Sequence, residues 1–444
     1  MKIRTIILLI AVGLLPMGLN AQTEQQPASW TLKQCIDYAI THNVGVQQSA
    51  VSARQQEVTV NTSKWARLPE VSGSAGQNWS WGRTASPQDN SYISSNSSNS
   101  SFSVGASIPL FTGFKIPNQY KLSQIQLKAA LADLQKAKED LSINVASSYL
   151  QALLNKELLK VAEEQITLSK EQLDRLVKME EVGKASPAQV AEARATVESN
   201  KLSAVQSDNT YKLSILDLTQ LLELPTPDGF EIAQPDLQLL ISKLTPPDEL
   251  YQTAMAQKSS ILAAQYRLEG SDLSIKIARS GYMPTVSMNL GLGTSYYTMS
   301  GATVSSFSSQ MKNNLNKYIG MSLSVPIFDR FTTRNNIRTA KLQQLNYSLQ
   351  LENTKKVFYK EIQQAWYSAV AAENKYKSSQ SALDAAKESF LLMRAKYENG
   401  KATAVEYNES QQKLRNAEST LLQAKYDYIF RSKILDFYKG EQIK

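Results

Sequence analysis

Two spans, Asn118 to Val182 and Thr332 to Asn399, run for more than sixty residues each without a glycine or a proline. Those are the two residues that most disfavour a helix interior. At about 1.5 Å per residue each span predicts a helix about 100 Å long, far longer than a globular domain is wide. In the first, Leu131, Val145, Ala152, Leu159, Ile166 and Leu173 fall on one seven-residue grid, with Lys138 as its polar break. Leu127, Leu134, Leu141, Ala162 and Leu176 fall on a second grid four residues earlier. This is a coiled-coil seam sustained over about seven heptads. Each rod ends at a glycine, in "VGKASPAQ" and "NGKATAVE". Gly183 and Gly400 suit left-handed C-caps, Ser186 and Thr403 suit N-caps, and Pro187 suits a first helical turn. The chain therefore turns back at both places into shorter helices, Pro187 to Glu223 and Ala404 to Lys439, which cover half of each rod.

The two turns lie 217 residues apart, and other landmarks keep that spacing. "SIPLFTGF" at Ser107 recurs as "SVPIFDRF" at Ser324, while Pro69 and Ala39 recur as Pro284 and Ala254 at an offset of 215. Several landmarks in one order at one offset indicate a duplication. The expected division is a leader over 1–21, a first repeat over 22–223, a proline-rich linker over 224–247 and a second repeat over 248–444. The linker holds five of the fourteen prolines. Helices near Leu32 to Arg67 and Glu249 to Ser280 have the length to cover the other half of each rod, stacked end to end with the shorter helices.

Between the helices lie four alternating stretches. Val71, Gly73, Ala75, Trp79 and Trp81 share one face against Ser72, Ser74, Asn78 and Ser80, and Phe102 to Ile108 repeats the pattern. The second repeat sets Val286, Met288, Leu290 and Leu292 against serine, asparagine and glycine, then Ile319, Met321, Leu323 and Val325 against Gly320, Ser322 and Ser324. The small polar face carries almost no charge, at about the length a tilted transmembrane strand needs. A soluble sheet with a core on its apolar side is the plainer reading, but the rods are too long to fold over so few strands. Four strands cannot close a membrane barrel, since lipid tolerates no open edges and the smallest such barrels have about eight. Copies must share one: two would give eight strands and three twelve. The serine- and asparagine-rich stretches between paired strands suit extracellular tips, and Trp79, Trp81 and Tyr296 suit an interfacial belt.

The first residues, "MKIRTIILLIAVGLLPMGLNAQ", carry Lys2 and Arg4, an apolar run and small residues before Gln22. That pattern is a secretory leader cut after Ala21, too short for a spanning helix. The only cysteine, Cys35, lies at a helical apolar position and reads as core. Net charge is +8, or +6 without the leader, and lysines and glutamates are interleaved, which argues against a nucleic-acid partner. The local exception is Arg330, Arg334 and Arg338 at i,i+4 spacing, either a solvated helix face or a site near anionic lipid head groups. With one histidine, His42, one cysteine, no zinc-ligand spacing and no phosphate loop, there is no catalytic constellation to assemble and no cofactor is expected.

The doubled helix–strand–strand–long-helix plan, "SIPLFTGF"/"SVPIFDRF" and the paired "VGKASPAQV" and "NGKATAVEY" tips together resemble the TolC-like outer-membrane efflux proteins across the mature chain. The resemblance implies a homotrimer, a 12-stranded β-barrel in the bacterial outer membrane continuing into a long α-helical coiled-coil barrel through the periplasm. It implies an exit duct of a tripartite efflux or secretion system, docked at its tips, Gly183, Ser186, Gly400 and Thr403, to a periplasmic adaptor (membrane fusion protein) and an inner-membrane transporter. Glu406 and Glu409, three apart, share a helix face one turn past the tip. The resemblance implies that this pair rings the periplasmic constriction in three copies, where like charges would raise one another's pKa. The alternative is that they oppose the helix dipole only. At the first tip Pro187 and Gln189 depart from the family's less rigid or acidic residues, which bears on adaptor contact. A passive trimeric coiled-coil envelope or adhesin protein is the rival reading, and it would not conduct.

Overall fold

The computed structural model describes residues 29–85, 91–234, 245–301 and 303–440. The leader, its cut site and part of the proline-rich linker lie outside them. The order is α1 (Leu32–His42), α2 (Val44–Trp65), β1 (Glu70–Ser80), β2 (Arg83–Ala85), β3 (Tyr92–Ser94), β4 (Ser97–Thr112), α3 (Lys115–Glu181) and α4 (Pro187–Leu221). The second half follows as α5 (Pro247–Met255), α6 (Ser259–Arg279), β5 (Thr285–Met299), α7 (Phe307–Asn313), β6 (Asn316–Ser324), α8 (Thr332–Glu398) and α9 (Ala404–Tyr438). Both rods are 67 residues long, and every boundary of α8 and α9 falls 217 residues after its counterpart in α3 and α4.

The core is duplicated position by position. One cluster contains Cys35, Ala39, Val46, Leu141, Val145, Ala152 and Leu218. The other contains Leu250, Ala254, Ile261, Phe358, Ile362, Ala369 and Leu435, which are the same seven places in the second repeat. The first cluster is larger because Trp30 and Ile232 pair in a parallel bridge above it. The Tyr149 hydroxyl lies 2.6 Å from the Ala233 carbonyl and 3.0 Å from that of Trp30, so the bridge is tied to α3. Trp366 stands at Tyr149's place in α8, and its buried indole N–H has no partner among the described residues.

Cys35 is core, as its helical position implied: it is fully buried, and burial pushes its thiol up to about 12. The thiolate is the reactive form. Maleimide at pH 8 is therefore expected to leave the folded protein unlabelled and to label one site per chain in denaturant; rapid labelling without denaturant would refute the packing.

The covering helices differ from the single spans expected. Each breaks once, at Asn43 (φ −62°, ψ 126°) and at Lys258 (φ −65°, ψ 117°), which are equivalent positions. At Asn43 the side chain accepts hydrogen bonds from the Gly45 and Val46 amides, so it restarts the helix as an N-cap. At Lys258 the ammonium pairs with Glu139 on α3 at 2.9 Å and faces the rings of Phe358, Phe437 and Tyr438. That contact joins the break to both rods and to α9. The α6 helix packs on α3 and α8, so it also joins the two repeats.

The strands form one antiparallel sheet in the order β1-β4-β5-β6. Glu70 opposite Ser107 and Thr285 opposite Ser324 put all four helix junctions at one end. One face carries the row Val71, Ala106, Leu290 and Ile319, and the other the row Ser72, Gly105, Gly291 and Tyr318. Serine pairs close the polar face, Ser74 with Ser103 at 2.7 Å and Ser287 with Ser322 at 3.0 Å. At the far end the expected polar tips hold the small β2–β3 hairpin and α7, whose Gln310 bonds the backbone of Tyr297. Alternation alone gave no sign of either.

The repeated "FTGF" and "FDRF" form the corners from strand to rod. Gly113 and Phe114 both adopt left-handed backbone (φ 60° and 64°), as do Arg330 and Phe331 (φ 55° and 62°). Each corner is braced by an edge-on ring pair, Phe111–Phe114 at 5.4 Å and Phe328–Phe331 at 5.7 Å. Gly113 is required where it stands, because a Cβ would lie 2.5 Å from Met283 Cβ and 2.9 Å from the Ser280 carbonyl. Arginine takes the equivalent backbone at 330, at a cost of about 1 kcal/mol relative to glycine.

Candidate functional site: the paired helical tips

The rods end in two equivalent turns built as Schellman motifs. Gly183 N–H donates to the Glu180 carbonyl and Lys184 N–H to that of Met179, both at 2.8 Å. Gly400 N–H donates to Tyr397 at 3.0 Å and Lys401 N–H to Lys396 at 2.8 Å. Gly183 (φ 73°) and Gly400 (φ 68°) provide the left-handed residue that this pattern needs. Space is not what restricts them, since a Cβ at either would meet nothing within 4 Å.

The return helices start at reciprocal capping boxes. Ser186 Oγ accepts from the Gln189 amide at 3.3 Å while Gln189 Oε1 accepts from the Ser186 amide at 2.8 Å. Thr403 and Glu406 repeat the arrangement at 3.2 and 2.8 Å, and the Thr403 hydroxyl also donates to Glu406 at 2.9 Å. Those hydrogen bonds, the Thr403 backbone amide first, hold the Glu406 carboxyl below the usual carboxylate range. Gln189 is the positional counterpart of Glu406, so the two tips share one geometry and differ by a charge. Glu409 is exposed one turn on, and its counterpart Glu192 accepts from Asn408 at 3.4 Å.

The tips also touch each other, through residues that sequence reasoning missed. Glu398 accepts from Arg394 at 3.0 Å and from Arg175 on the other hairpin at 3.2 Å. Arg415 donates to the buried Asn200 at 2.8 Å. Tyr397 stacks on Tyr407 at 4.8 Å and its hydroxyl takes Gln172 at 3.5 Å. Partners more than two hundred residues apart leave no periodic signal. His42, by contrast, ends α1 stacked on Tyr38 at 3.9 Å, remote from either tip.

This protomer plan is that of outer-membrane channels. The fold matches the Campylobacter jejuni CmeC outer membrane channel with a TM-score of 0.79 at 18% identity, over 92% of this chain and 85% of that one. It also matches the open-state Neisseria gonorrhoeae MtrE channel with a TM-score of 0.74 at 19% identity, over 92% and 88%. The Escherichia coli K12 outer membrane protein TolC is 23% identical over 427 residues, 95% of this chain and 83% of TolC. The family model described as outer membrane efflux protein matches residues 36–223 and 250–440, and the chain belongs to that family. Its place is therefore the bacterial outer membrane, extending into the periplasm, and its work is efflux transport as a channel protein.

Proposed function

We propose that three copies of this chain close a 12-stranded barrel and a continuous helical barrel. The assembly forms the exit duct of a tripartite efflux or secretion system. The observation that carries this reading is the sheet's pair of open edges. Both β1 and β6 are exposed along their whole length. Unpaired strand edges are not tolerated in lipid, and β6 of one copy runs antiparallel to β1 of the next. The repeats, 22–223 and 248–444 about the 224–247 linker, then give six similar hairpins around one axis.

Purified full-length protein in planar bilayers is expected to conduct; a passive envelope protein or adhesin would not. The tips at Gly183, Ser186, Gly400 and Thr403 receive the periplasmic adaptor in this reading, and an inner-membrane transporter provides the energy. Gly400→Leu tests the docking. Its left-handed backbone penalty is about 1–2 kcal/mol, and the open space around the Cβ leaves the protomer's packing intact. Export is expected to be lost with assembly retained. If assembly and export fall together, the glycine is a helix cap and nothing more.

A further inference from the structure

The two strand-to-rod corners share a backbone but not a chemistry. Arg330, Arg334 and Arg338 stand where the first repeat has Gly113, Pro117 and Lys121. Arginine at φ 55° is strained where glycine would not be, and strain retained at one of two duplicated sites points to a use for the side chain. All three arginines are exposed, and no ion pair among the described residues uses any of them. The neighbouring carboxylate, Asp329, is committed to the Thr333 amide at 2.7 Å.

Beside this cationic row runs an apolar ridge. Ile327 is 96% exposed, Phe328 72% and Phe331 56%, continuing the exposed face of Leu323 and Val325. The Arg334 guanidinium lies 5.8 Å from the Phe331 ring, which joins row and ridge. The corner stands at the helix end of the sheet, the level at which a membrane strand leaves hydrocarbon on the periplasmic side. Fixed cations next to an uncovered apolar ridge at that depth complement a phosphate on two acyl chains, and the row is continuous with the face that would meet lipid.

We propose that the β6–α8 corner is a binding site for an anionic glycerophospholipid of the inner leaflet. Arg330, Arg334 and Arg338 hold its phosphate, and Ile327, Phe328 and Phe331 lie along its acyl chains. This rests on the membrane-channel reading. The first corner has Lys115 and Lys121 but no arginine and no i,i+4 row of cations, so one site per chain is expected.

Native mass spectrometry of the full-length protein from mild detergent tests it, with phosphatidylglycerol and phosphatidylethanolamine offered in equal amounts. Phosphatidylglycerol is expected to be retained at least fivefold over phosphatidylethanolamine, at up to one tight lipid per chain. Millimolar inorganic phosphate is expected not to displace it. Arg330→Gly, Arg334→Gln and Arg338→Gln together should remove the preference, while Lys156→Gln, Lys160→Gln and Lys170→Gln, the same charge loss elsewhere, should not. Arg330→Gly alone should raise the thermal midpoint while lowering retention, which a purely structural arginine would not do. Bilayer conductance of the triple variant should match wild type, so loss of the site is distinguishable from loss of the channel. The proposal is overturned by equal retention of both lipids or by displacement with phosphate alone. Retention unchanged in the triple variant, an equal loss in the lysine control, or a changed oligomer mass in the triple variant would also overturn it.

Discussion

Val51→Asp with Val58→Asp is expected to leave the full-length chain monomeric in mild detergent, where the unaltered protein is expected to run as a trimer well over 100 Å long. Val44, Val51, Val58 and Trp65 recur every seven residues on α2, and each is half or more exposed in the protomer. The other side of α2, through Val46 and Ala53, is already buried. A second seven-residue apolar stripe on a helix whose core side is occupied is a seam awaiting another helix. A carboxylate buried there without a partner costs several kcal/mol, and the penalty recurs at every interface of a ring. Val51→Leu with Val58→Leu keeps the apolar chemistry and should keep the trimer. A wild-type monomer or dimer by mass would end the barrel count, and a trimeric aspartate variant would show that the stripe faces water.

Glu406→Gln with Glu409→Gln is expected to reduce cation selectivity several-fold and to weaken block by a trivalent cation about tenfold or more. The test is clean because the molecule already contains its control. Gln189 closes the same capping box in the first tip that Glu406 closes in the second, so glutamine at 406 removes charge and leaves the helix start intact. In the protomer the Thr403 bonds depress the Glu406 pKa, and the carboxylate is ionised at neutral pH. The sign follows: its contribution to the cap is present above the unfolded pKa of about 4.3 and is lost as pH falls through the lower folded value. If three copies bring these carboxylates together, six charges favour cations in a narrow passage, and mutual repulsion moves the pKa the other way. A selectivity that weakens above pH 5 on acidification therefore reports the ring, whereas loss confined to lower pH reports the cap. Unchanged selectivity and block in the double variant would leave both residues as helix-start chemistry.

Local chemistry determined most of the protomer. Glycine- and proline-free runs give rods because nothing interrupts the backbone ladder, and their ends at Glu181 and Glu398 follow from the glycine that must turn left-handed. Ser186, Pro187 and Thr403 announce the return helices because capping involves residues three apart. The alternating strands and the repeat are likewise one-dimensional patterns, visible before any folding. Tertiary structure alone decided the strand order β1-β4-β5-β6, the break at Lys258, the left-handed arginine at 330 and the bonds between the tips. These depend on which distant surfaces meet: Lys258 is held by Glu139 and three rings, and Arg175 finds Glu398 on the opposite hairpin. A sequence records what each segment prefers by itself, but an interface between segments two hundred residues apart exists only once both have folded, so the chain specified its parts and their packing specified the site.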